Sequence, residues 1–229
     1  MADQYFGKYS GTVEDNRDAD KLGVLQVSVP TIFPPDEPVP ARAALPYGMF
    51  FVPENGTHIW VEFEGGDPAF PLWTGVQHIP GTFAPEAAKN PPTVRAFRTP
   101  SGHLLIFDDT SGSESVVLTD GEHAHKLTFD KNGVTLTDGA NKHVVELTAD
   151  AVHIKHGKGV AKVTLEAAAV KAEAGPSTLE LSASAVKVDG PTVLLGAGKQ
   201  PVLHLTDQGV GNLGAPVPIT LSTQVKVMA

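Results

Sequence analysis

From Leu104 onward the chain repeats a two-strand unit, and this repeat restricts the fold more than any other feature of its 229 residues. Short apolar–polar alternations recur at Leu104–Phe107, Val116–Leu118, Lys126–Phe129, Val134–Thr137, Val144–Thr148 and Val152–Lys155, then at Val163–Glu166, Val170–Glu173, Leu179–Ser182, Val186–Asp189 and Val193–Leu195. One apolar series runs Val134, Val152, Val170, Val186 at steps of 18, 18 and 16; a second runs Val145, Val163, Leu179, Leu195 at steps of 18, 16 and 16. Two positions after each member of the first series comes another apolar or small residue: Leu136, Ile154, Ala172 and Val188. Side chains two apart on a strand share a face, so each strand offers two apolar groups to one side. A solenoid buries such faces by stacking repeats, but two side chains per strand are too few for a single-chain solenoid of useful width. Several identical chains wound about one axis would supply the missing walls, normally with cyclic symmetry, and would hide the strand edges. A meander sheet or β-sandwich has the same strand spacing and is the alternative. Leu165–Ala174, rich in Ala, Glu and Lys, has helical propensity, which the repeat overrides.

Residues 1–80 are organised differently. Tyr5–Glu14, Gly23–Val29, His58–Glu64 and Leu72–His78 read as longer strands, and Leu22–Val29 and Thr57–Glu64 alternate apolar with polar residues. Pro30–Pro46 is proline-rich and reads as a long loop unable to form a central strand. About five strands with one long loop suit a small Greek-key barrel of the OB type; a sandwich also fits the pattern. Residues 81–98, with Gly81, Pro85, Pro91 and Pro92, read as a linker too short for an inserted domain. Residues 99–200 then form the repeat region and 201–229 a segment that breaks it, with strand patterns at Val202–Leu205 and Ile219–Val227. The expected class is all-β throughout, consistent with 23 glycines and 19 prolines spread along the chain.

Composition removes several function classes. The net charge of −9 argues against nucleic acid as a partner. Cysteine is absent, and with it disulfides, thiolate nucleophiles and cysteine-based zinc sites. Residues 1–11 are polar and carry no secretion signal, and no apolar run reaches the roughly 18 residues of a membrane-spanning helix.

Three segments resemble a known family. WVEFEGGDPAFPLWTG (Trp60–Gly75) is similar to the stretch that closes the OB barrel in the phage baseplate protein V and VgrG spike families. TPSGHLLIFDDTSG (Thr99–Gly112) followed by SESVVL (Ser113–Leu118) resembles that family's entry into its β-helix. GTVEDNRDADKLGVLQVSVP, beginning at Gly11, resembles its opening, with Val24 where an Arg is usual. The resemblance spans about residues 5–166. It implies a homotrimer: three N-terminal OB barrels in a collar and an intertwined trimeric β-helix as needle, at the tip of a contractile tail. It also implies a hub protein at the barrel end, a PAAR-like cap at the C-terminal tip and transient contact with a target membrane. The setting it implies is the baseplate of a virion or phage-tail-like particle, assembled in the bacterial cytoplasm. About eleven strands at ~4.8 Å each would make a shaft on the order of 50 Å long. A trimeric receptor-binding fibre or adhesin is the alternative function.

No catalytic residue is expected. Glu62, Glu64, Asp67, Asp108 and Asp109 do not make the defined cleft that glycoside hydrolysis needs and read as strand and turn carboxylates. GAGK (Gly196–Lys199) lacks the phosphate-loop spacing and is followed by Pro201 rather than a helix. No Gly-x-Ser-x-Gly elbow exists. No cofactor is expected either, an axial metal ion excepted, for which His123, His125 and His204 are the candidates. Related spikes hold iron on an apical histidine ring; here the His-x-His pair lies near the start of the repeat and reads as two solvent-facing side chains beside the turn Asp120–Glu122.

Overall fold

A computed structural model of the chain describes residues 3–81 and 84–191, with the backbone of 208–210 and 216–218. It divides into two units, 1–98 and 99–229.

The first unit is built on five strands: β1 (Tyr9–Asp15), β2 (Leu25–Ser28), β3 (Val39–Ala43), β4 (His58–Phe63) and β5 (Pro71–Val76). They close into a barrel in the order β1-β2-β3-β5-β4, with β1 pairing back onto β4. All pairs are antiparallel except β3 with β5. This is the Greek-key OB-type barrel expected, not a sandwich. Alternation supplies its core: Val13, Leu25, Val27, Val29, Ala41, Ile59, Val61, Phe63 and Trp73 point inward and are buried. One face of every strand therefore carries the core and the other meets solvent. Tyr5, Tyr9 and Phe33 pack around Phe63 with ring centroids 5.5–6.0 Å away, closing one end.

Two sequence readings change here. Pro30–Pro46 is not all loop, since β3 lies within it and sits between β2 and β5. Pro40 is tolerated because it pairs only with Gln26 of β2, whereas β5 pairs with Arg42 and Ala43 further along; an absent N–H matters only where both sides need one. Residues 81–98 also hold structure, a 3₁₀ turn at Pro85–Ala87 and strand β6 (Val94–Arg98).

After β6 come β7 (Leu104–Asp108), β8 (Ser115–Thr119), β9 (Lys126–Asp130), β10 (Gly133–Thr137), β11 (Val144–Leu147) and β12 (Ala151–Lys155). They are followed by β13 (Lys162–Glu166), β14 (Ala169–Ala174), β15 (Ser177–Ser182) and β16 (Val186–Asp189). Strands β6 to β16 form one eleven-stranded sheet whose spatial order is the sequence order, and every pairing from β7 to β16 is antiparallel. Each strand predicted from Leu104 to Asp189 is present within a residue or two, and Leu165–Ala174 is strand, not helix. Local helix propensity loses because Val163, Leu165, Val170 and Ala172 fall on one face only at period two. Further on, β17 (Gln208–Val210) and β18 (Pro216–Pro218) form an antiparallel pair. The strand readings at Val193–Leu195, Val202–Leu205 and Ile219–Val227, and the turn reading of Gly196–Lys199, lie outside the described residues, as does His204.

Candidate functional site

The register assembles the apolar pairs into two continuous rows on one face of the sheet. The first runs Phe107, Val116, Phe129, Val134, Leu147, Val152, Leu165, Val170, Leu181, Val186, each residue opposite the next. The second runs Leu105, Leu118, Leu127, Leu136, Val145, Ile154, Val163, Ala172, Leu179, Val188. The two series read from sequence thus interleave, because antiparallel hairpins exchange the order of each pair at every turn.

This face is open in the single chain. Leu136 is 51% exposed, Ile154 48% and Val186 67%. A hollow of about 1110 Å³ on it is lined by Leu136, Val145, Ile154, Val163, Leu179 and Val188 among others. The opposite face carries a central row, Thr128, Thr135, Glu146, His153, Thr164, Lys171, Glu180, Lys187, again in register. Here the usual burial is inverted: Thr164 is buried and Glu180 half-buried, while their apolar neighbours Leu165, Leu179 and Leu181 are exposed. Neighbouring strands cover the polar row by laying charged stems across it, as with Lys155–Glu146 at 2.6 Å and Lys171–Glu166 at 3.0 Å. Lys162–Glu173 at 2.8 Å adds a directly opposed pair.

The turns along one edge repeat as well. Gly121, Gly139 and Gly157 donate N–H to Nδ1 of His103, His125 and His143, each at 3.2 Å. A Cβ at these glycines would stand 2.2, 1.9 and 2.0 Å from the carbonyl oxygens of Ser101, His123 and Asn141, so only glycine lets successive turns stack. This motif was missed from sequence, although its signal, glycine at strict 18-residue steps, was there to read.

The carboxylates singled out from sequence do not converge. Glu62 is paired with Lys8 and Glu64 with Arg42. Asp67 and Asp108 accept backbone N–H groups of Ala69 and Thr110, both at 2.9 Å, which are turn roles. In the barrel's opening motif, Asp18 accepts N–H groups of Asp20, Leu22 and Val24 at 3.1, 2.7 and 3.1 Å. The Val24 amide foremost holds its carboxyl below the usual range. In the second motif, Gly65 and Gly66 adopt φ of 62° and 79°, reversing the chain between β4 and β5 as few other residues would.

His123 and His125 are not on a strand. They flank Ala124, which has φ 56°, in the turn before β9. Strand alternation therefore does not align them; the left-handed residue does. Their rings stack at 5.4 Å with an interplanar angle of 17°, and with Asp120 they form a set of donor atoms within 4.8 Å of one another.

Residues 9–78 match the family model of the Type VI secretion system/phage-baseplate injector OB domain. The barrel is similar to that OB domain along its whole length. The match begins with β1 and ends just beyond β5, so it covers the closed barrel and both barrel motifs. The match supports a tail-associated, structural role in a baseplate or injection system. No curated protein matches the sequence. Among the described residues no helix is long and apolar enough to cross a membrane.

Proposed function

We propose that the protein is the central spike of a contractile injection apparatus, and that three copies bury their apolar faces against one another to form its needle. The inverted burial carries this reading. A chain that leaves two rows of Val, Leu, Ile and Phe open to water while Thr164 is buried on its other side is incomplete without a partner for that face. Copies of the same chain supply a partner with the same repeat and the same strand rise, and cyclic closure leaves no face uncovered. The barrel family supports the setting, a baseplate or injection system; in the proposed arrangement a hub protein sits at the barrel end and a cap at the far end.

The spike so formed acts mechanically. Contraction drives it through the target envelope, and intertwined chains resist axial load because many hydrogen bonds must break together. No reaction is assigned to it, and the paired, turn-bound carboxylates support a purely structural role. Its charged outer pairs keep needles from associating sideways. Sedimentation equilibrium of the purified chain tests the assembly: three times 24.0 kDa, about 72 kDa, is expected. A stable monomer at micromolar concentration overturns it. Particles assembled with a chain truncated after the barrel should attach to cells yet fail to cross the envelope.

A further inference from the structure

We propose that Asp120, His123 and His125 form a binding site for a divalent transition-metal ion, with Zn²⁺ as the ion it suits best. Two imidazoles and one carboxylate are a borderline donor set that fits zinc and its neighbours and disfavours Ca²⁺ or Mg²⁺, which take oxygen ligands. All three donors lie within 4.8 Å of one another. Tetrahedral zinc with bonds of ~2.0–2.1 Å places its ligands about 3.4 Å apart. The histidines have the freedom to close that gap, since their side chains are 55% and 47% exposed. A water would complete the coordination.

Three features favour a site over two chance histidines. Ala124, at φ 56°, turns the backbone so that both rings rise on the same side, stacked at 5.4 Å. Asp120 is held in place by the N–H of His123 at 2.8 Å and of Glu122 at 3.4 Å. Finally, Asp138 Oδ1 lies 3.1 Å from His125 Nδ1, the placement by which a carboxylate fixes the tautomer of a metal-bound imidazole and leaves Nε2 for the ion.

His125 Nδ1 has two competing partners. Without metal it accepts from the Gly139 N–H at 3.2 Å; with Nε2 on an ion it carries a proton and donates to Asp138 instead. Metal binding thus exchanges one turn contact for another. The site lies within one chain, so it stands or falls apart from the trimer.

The experiment is calorimetric titration of the untagged full-length protein with ZnCl₂, alongside CaCl₂ and MgCl₂. One Zn²⁺ per chain is expected, with no saturable Ca²⁺ or Mg²⁺ binding. His123→Ala and His125→Ala should each weaken Zn²⁺ binding by about tenfold or more, and Asp138→Asn by roughly 10–100-fold. His156→Ala and His204→Ala should bind as the unaltered chain does. His123→Gln, which leaves the Gly139 contact untouched, serves if His125→Ala fails to fold, as judged by circular dichroism. No saturable binding, or affinity unchanged in His123→Gln, overturns the proposal.

Discussion

Trp73 is 1% exposed, and its Nε1–H donates to the carbonyl of Gly23 at 2.8 Å. One bond thus ties β5 to the loop before β2 from inside the barrel. Trp73→Phe keeps most of the apolar volume but leaves that buried carbonyl without its donor, which costs about 1–3 kcal/mol. The midpoint of urea unfolding, followed by barrel near-ultraviolet circular dichroism, measures it; an unchanged midpoint would mean water replaces the indole. At the surface, the Arg17 guanidinium grips the Asp15 carboxylate at 2.9 and 2.8 Å, and that side-chain bond above all lowers the Asp15 pKa to about 2. Because the folded value lies below the unfolded one of about 3.9, the pair contributes above that value and its contribution is lost as pH falls toward 2. Exposure keeps the contribution small. Carboxylate NMR should show the Asp15 midpoint near 2 and its return toward ordinary values in Arg17→Gln.

At the scale of elements, the stacked turns set the spacing of the sheet edge. Gly139→Ala would push a methyl onto the His123 carbonyl, 1.9 Å away. Displacing the turn, and with it the His125 contact, should cost about 1–3 kcal/mol, read as faster amide exchange in β9 to β11 than in β14 to β16. The strands themselves were legible because Val134/Leu136 and Val152/Ile154 are period-two pairs bounded by Asp, Gly and Asn turns. What escaped was long-range. β3 was hidden because Pro40 looks forbidding until its one-sided pairing is known, and β6 because Val94–Arg98 has no repeat partner in sequence. The His123–His125 ring stacking was not legible for a related reason: nothing in the letters His-Ala-His announces a left-handed Ala124. The apolar face was visible as a pattern, but its inverted burial required the register.

For the whole molecule, the open face is the feature that tests the proposed assembly. Ile154→Asp places a charge in the middle of the second apolar row, once per copy; if the proposed trimer forms, this variant should leave monomers in sedimentation velocity at concentrations where the unaltered chain sediments as a trimer. Thr135→Glu, on the other face, should leave assembly intact. Equal behaviour of the two variants would mean that this face is not the contact surface.

The sheet's strand order equals its sequence order, and this has a consequence for how such chains change over time. Removing or inserting one hairpin gives only the two flanking strands a new neighbour, and that neighbour is an equivalent strand of the same repeat. Each such unit alters the extent of the sheet by about 10 Å, two strand spacings. Length is therefore a quantity this architecture can tune in fixed increments, like graduations on a ruler, with the barrel left as it is.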